Sequence, residues 1–255
     1  MKGFGFFKKE INEIIKTHKV IVLPAVLLFF GFLSPIFAKF TPQLLAEVFK
    51  SQGMAPVKIP DPTFLDSYGQ LFKNFTQLGI IVIILVFMSV VVEEKVKGSA
   101  VLVLTKTVTR AQFILSKCFA SLTLYTVSFV LSVVACVYYT YLLFPAFYND
   151  QLVLSLFMLW LYGVFMISIT IFASTISKTH TIAAVLSITG FIISVGSSAI
   201  PYVSKISPGS LGAMGLSVLG GKAPVTDAVA PLIAGVVFSV MFIWGSVLVF
   251  RRQEL

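Results

Sequence analysis

Six long runs of apolar positions divide the chain, at approximately Val20 to Ala38, Asn74 to Val92, Phe119 to Phe144, Leu152 to Ala173, Ile182 to Val203 and Ala228 to Phe250, and none holds an Asp, Glu, Lys, Arg or His. Each is close to or above the roughly 20 residues that carry a helix across a bilayer. The third is long enough to tilt or to project beyond the hydrocarbon. Open strands and bare loops are excluded from lipid because their backbone groups go unpaired there. The pattern therefore predicts an all-α membrane protein with six transmembrane helices, forming one domain over residues 1–255.

The polar stretches between the runs carry patterns of their own. In residues 1–19, Phe4, Phe7, Ile11, Ile14 and Ile15 recur at helical spacing, with Lys9, Asn12, Glu13 and Lys16 opposite. This predicts an N-terminal amphipathic elbow helix lying in the membrane interface. The stretch from Lys39 to Lys73 holds Pro42, Pro56, Pro60 and Pro62 and reads as interfacial turns. Gln70, Asn74 and Gln77, joined by Lys73, form a polar stripe at helical spacing and are candidates for lining a substrate path. The short link Pro145–Asp150 makes a tight hairpin of the third and fourth spans, with Tyr138, Tyr139, Tyr141, Phe147 and Tyr148 as an interfacial aromatic belt. Residues 204–227, rich in glycine yet moderately apolar, predict a re-entrant or interfacial element on the outer side.

Charge orients the bundle. With both termini inside, 13 of the 19 Lys and Arg fall in inner segments, whereas the acidic residues split evenly. That bias is the positive-inside signature of an N-in/C-in chain. The long leader carries Glu10 and Glu13, and a cut after Ala38 would put Ile36 where a small residue is required, so the first span is expected to stay attached. With 58% hydrophobic and 11% charged residues and a mean hydropathy of +1.00, the composition lies far from that of soluble domains. The net charge of +9 then reflects basic loops rather than a nucleic-acid footprint, and no nucleic acid is expected as a partner. Cys118 and Cys136 share one apolar run and cannot meet in a disulfide.

The longest inner loop, residues 93–117, reads EEKVKGSAVLVLTKTVTRAQFILSK. An acidic pair leaves the second span, Gly98 permits a bend, Ala100 to Leu104 can form a short apolar helix, and a basic stretch leads on to the third span. An apolar element presented to the cytoplasm calls for a soluble partner to bury it. The order Glu94, Lys95, Gly98, Leu102, Leu104, Thr105, Lys106, Val108, Arg110 and Lys117 resembles the ABC-2 type permeases, in particular the multicopper-enzyme-maturation group. Thr107 and Thr109 stand where that pattern commonly has Pro and Ser. The resemblance implies a dimer of two permease copies, identical or sister chains, with separate ABC ATPase subunits carrying ATP and Mg. It makes the segment from Gly98 to Leu104 a coupling helix, with Glu93, Glu94, Lys106 and Arg110 fixing its register in the ATPase through rim charge pairs.

Rival chemistries lack their residues. Gly221-Lys222 is followed by Ala223, so no phosphate-binding GxxxxGK[ST] loop exists and the chain cannot be its own motor. No span holds the ionisable residue that ion-coupled carriers usually place in the membrane. Glu93-Glu94 resembles the EExxxR start of one membrane-protease family, but Gly98 replaces the Arg. His18 and His180 are the only histidines, no catalytic metal cluster can be assembled from them, and none is expected. The expectation is a non-enzymatic exporter permease of the bacterial cytoplasmic membrane. A self-contained six-span channel or carrier is the competing reading, and an assembly or self-protection protein without net transport is a third.

Overall fold

A computed structural model describes Glu10, Glu13 and residues 17–51, 60–98 and 109–253. Six helical segments within it are long and apolar enough to cross a membrane. The first is α1 (Lys19–Ser51). The second is composite: α2 (Phe64–Asn74), a π-helical turn (Phe75–Gly79), α3 (Ile80–Phe87), a tight turn and α4 (Val92–Val96). The remaining spans are α5 (Arg110–Leu143), α6 (Leu152–Ile176), α7 (His180–Ala199) and α10 (Val225–Arg252). Between the last two lie α8 (Pro201–Ser204), a 3-10 turn (Pro208–Ser210) and α9 (Leu211–Leu219). No strand occurs among the described residues.

Two spans run further than hydropathy indicates. The first continues past Ala38 to Ser51 because Lys39 does not end it: its Nζ donates to the Leu143 carbonyl at 3.1 Å and lies 5.4 Å from the centre of the Phe144 ring. A long basic side chain can thus keep its stem in apolar surroundings and its head satisfied. The second begins ten residues before Asn74, at a capping box in which Thr63 N and Oγ1 both donate to Asp66 Oδ2, at 2.8 and 3.0 Å. The expected turns around Pro42 are therefore helix.

The central helix is α6. Every residue from Leu161 to Ile171 is buried, so it is enclosed on all sides by α3, α7, α9 and α10. Its opposite is α7, which buries only Ala183, Ser187 and Ser194 against the bundle. Between these extremes, small residues let backbones approach closely. A Cβ at Gly31 of α1 would run into the Ser132 carbonyl of α5, and Ser132 Oγ in return donates to the Leu27 carbonyl at 2.5 Å. Gly163 makes room for the ring of Tyr125, whose hydroxyl donates to the Trp160 carbonyl at 3.0 Å. Without a hydrophobic drive between helices in lipid, such contacts and interhelical hydrogen bonds set the packing.

Candidate functional site at the loop root

Both described chain ends meet the start and finish of the 93–117 loop at one end of the bundle. Lys117 is placed there by α5, which begins at Thr109: its side chain accepts from Gln112 N at 3.2 Å, and Thr109 N donates to Gln112 Oε1 at 3.1 Å. Two turns into this helix the Lys117 ammonium is enclosed, 4% exposed, and donates to Glu10 Oε2 at 3.0 Å and Glu94 Oε1 at 2.5 Å. Both carboxylates are also buried, with 4% and 9% of their side chains exposed. One cation thus ties the leader, the exit of the second span and the third span together. A buried charge is tolerated when it is paired in this way.

Burial pushes the Glu10 carboxyl above its usual 4.5, against the attraction and hydrogen bond of Lys117, while Glu94 and Glu13 push in the same direction as burial. Desolvation therefore outweighs the pairing at this carboxyl. Oxygens of Glu10, Glu13 and Glu94 lie within 4.8 Å of one another, the spacing of a cation site. The ammonium of Lys117 already bridges two of them, so the charge they attract is supplied by the chain itself.

The neighbouring charges are also engaged within the chain. Glu93 accepts from Lys97 at 2.8 Å and lies 3.9 Å from Lys19, which donates to Ser89 Oγ at 2.9 Å. Lys95 Nζ donates to the Thr175 and Ser177 carbonyls at 2.7 and 2.9 Å, capping the end of α6. Arg110 does the same for α10: one guanidinium nitrogen donates to the carbonyls of Phe250, Arg251 and Gln253, at 3.3, 2.7 and 2.8 Å. Cations at helix C-termini complete carbonyls that lack intrahelical donors and favour the helix dipole. Ser174 Oγ of α6 accepts from Val91 N and Val92 N at 3.1 Å each, which satisfies the backbone where the second span turns. Phe113 stacks on Phe250 at 5.1 Å, and Lys117 sits 5.1 Å from the same Phe113 ring.

Of the expected rim charges, Glu94 is engaged by Lys117 and Arg110 by three carbonyls of the last helix, all within the chain. For Glu94, which is buried, the reason is solvent: a charge that meets no water must be satisfied by its own chain. Glu93 is half-buried, with 38% of its side chain exposed. Gly98 follows α4 with φ +68, a left-handed conformation suited to glycine. Leu102, Leu104, Lys106 and the remainder of 99–108 lie outside the described residues, as does the elbow apart from Glu10, Glu13 and residues 17–19.

At the far end of the bundle, the expected polar stripe is divided. Asn74 Nδ2 donates to Ser34 Oγ of α1 at 3.2 Å. Gln77 instead lines a cavity of about 630 Å³ together with Lys73 and Thr76, facing α7 and α9, while Gln70 lies outside its lining. Lys73, Thr76 and Gln77 share one face at i, i+3 and i+4, while Asn74, one position on from Lys73, is directed to Ser34 instead. A second, almost wholly apolar cavity of about 790 Å³ lies between α6, α7 and α10.

The fold defines a multi-pass membrane protein whose charged groups converge on one loop root. Residues 6–255 match the family described as ABC-2 family transporter protein, and the chain belongs to that family. It is thus a membrane subunit of an ABC transporter. It is also similar to the uncharacterized transmembrane protein YxlG of Bacillus subtilis (strain 168), 26% identical over 182 residues that cover 71% of this chain and 70% of that protein.

The sequence reading missed Glu10 and gave Lys117 no partner. The available signal was weak: a lone Glu on the amphipathic leader and a Lys just short of an apolar run, with nothing to place them side by side.

Proposed function

We propose that this chain is the membrane-spanning permease of an ATP-driven exporter in the bacterial cytoplasmic membrane, with both ends inside. Two copies, or one copy with a sister chain, form the pathway, and separate ATPase subunits bearing ATP and Mg bind the loop between spans two and three. The observation that carries this reading is the buried Glu10–Lys117–Glu94 cluster at the root of that loop. A loop that only connected two spans would need no tie to the leader. A loop that takes up a mechanical stroke needs roots that move with the bundle, and here they are bonded to the leader, to α6 and to α10.

In this reading the apolar residues Leu102 and Leu104 seat in the ATPase, and nucleotide-driven approach of the ATPases biases the bundle between two arrangements. The sparsely buried α7 faces the second copy. The cavity lined by Lys73, Thr76 and Gln77 belongs to the pathway, with Gln70 and Asn74 as further lining candidates.

The test is extraction of tagged protein in mild detergent and identification of any ATPase subunit that co-purifies with it. Retention of a stable ATPase, lost when Leu102 and Leu104 are both changed to Asp, is the expected result. An unaltered dimer that brings no ATPase, and that is indifferent to the double change, would refute the coupling and leave a self-contained channel or carrier.

A further inference from the structure

The far-end cavity combines two features that the loop root does not use. Its walls from α7 and α9 are mostly apolar or glycine, with Phe191, Ile192, Val195, Gly196 and Leu216 beside Ser198. Its other wall, from the second span, presents Lys73 and Gln77, both exposed. No ion pair involving Lys73 occurs among the described residues, and the sequence 52–59 contains no Asp or Glu. The Thr76 and Ser198 hydroxyls are already donated to the Phe72 and Val195 carbonyls, at 2.7 and 2.6 Å, and Tyr162 is buried, so Lys73 and Gln77 are the exposed donors facing the space. A volume of about 630 Å³ is in the range of small-ligand sites. The π-turn sits at the same level, and such turns recur at functional positions.

We infer that this cavity binds an anionic amphiphile drawn from the membrane: a lipid whose phosphate meets Lys73 and Gln77 while one acyl chain lies along Ile192 and Val195. The inference rests on the exporter reading for its role, as the cargo or a cargo-like occupant of the pathway, but not for the binding itself. Charge selects the occupant. An apolar groove alone would accept any hydrocarbon, whereas an unpaired ammonium at its rim discriminates between headgroups. A charge-assisted hydrogen bond between Lys73 and the headgroup is worth about a tenfold difference in affinity.

The probe is fluorescently labelled phosphatidylglycerol, compared with the equally labelled zwitterionic phosphatidylcholine, bound to full-length protein in mild detergent and read by anisotropy. Wild-type protein is expected to prefer phosphatidylglycerol by about tenfold. Lys73→Gln should abolish that preference and Lys73→Arg should retain it. Lys222→Gln, which removes a cation outside the cavity lining, should leave it intact. Gly196→Leu should weaken both lipids, because a Cβ there meets nothing within 4 Å and the side chain would occupy the cavity without a clash at its base.

Equal binding of the two lipids by wild-type protein would overturn the inference, as would loss of preference in Lys222→Gln matching that in Lys73→Gln. Displacement of the lipid by millimolar inorganic phosphate alone would reassign the site to a free anion. Dissociation of the dimer by Lys73→Glu with headgroup preference unchanged would assign Lys73 to the contact between copies. None of these readouts involves the ATPase, so failure here and failure of the co-purification are separate results.

Discussion

Replacing Lys117 with Met is the sharpest test of the loop-root cluster. The substitution keeps the length of the stem and removes the cation. At an effective dielectric of about 20, opposite charges at the observed 3.0 and 2.5 Å attract by roughly 5 to 7 kcal/mol each, most of it offset by the cost of burying three ions. Without the ammonium, two buried carboxylates lie within 4.8 Å and repel by roughly 3 kcal/mol. Removing one partner from a buried cluster of this kind costs about 3 to 5 kcal/mol. For a chain of this size that lowers the melting temperature by about 10 °C. The assay is thermal unfolding of the detergent-solubilised protein, followed by loss of the monodisperse peak in size exclusion. The control is Lys117→Met combined with Glu10→Gln and Glu94→Gln, which leaves no charge behind and should recover most of the loss. A single variant as stable as wild type, or a triple variant no better than the single, would refute the argument.

Three further outcomes follow from the same geometry. Glu10 has a carboxyl pKa raised by burial, so its contribution to docking the leader is fully present below its usual 4.5 and is lost as pH rises through the raised value; between pH 4 and 8, wild-type protein should therefore lose stability relative to Glu10→Gln, and parallel pH profiles would contradict this. Arg110→Met should speed amide exchange in the last turn of α10 and cost about 1 to 3 kcal/mol, because carbonyls at Phe250, Arg251 and Gln253 lose their donor; exchange unchanged in that turn would sink the idea. Gly31→Val should lower the melting temperature by several degrees, since its Cβ meets the backbone of Ser132 rather than a flexible side-chain tip; a neutral result would show that α1 and α5 can separate at little cost.

The number and kind of spans were legible in the sequence because twenty apolar residues in a row have one stable solution in lipid. Their ends were less so. Lys39 looks like a boundary on a hydropathy trace but reaches its own carbonyl partner, and Thr63 with Asp66 was a readable helix start inside a proline-rich stretch. Helical spacing placed Gln70, Asn74 and Gln77 on one broad stripe, but spacing does not say which neighbour each side chain meets: Asn74 finds Ser34, and Gln77 lines the cavity with Lys73. Glu10, Glu94 and Lys117 could be found only in three dimensions, because residues far apart in the chain acquire a common environment through packing. Arg110 was expected to face outward for the same reason: its partners are backbone carbonyls, and carbonyls have no signature in a sequence.

The bonds made by Lys95 and Arg110 have a consequence for specificity. They fasten the two roots of the loop to the ends of different helices, α6 and α10, and with Lys117 they engage most of the fixed charge around the loop in contacts internal to the chain. On the exporter reading proposed above, discrimination between one ATPase and another would then fall mainly to residues 99–108, beside the accessible Glu93 and Lys97. The scaffold becomes a socket of fixed shape holding an exchangeable plug. Exchanging those ten residues for the corresponding ten of a related permease should redirect the choice of ATPase while leaving the melting temperature of the bundle where it was.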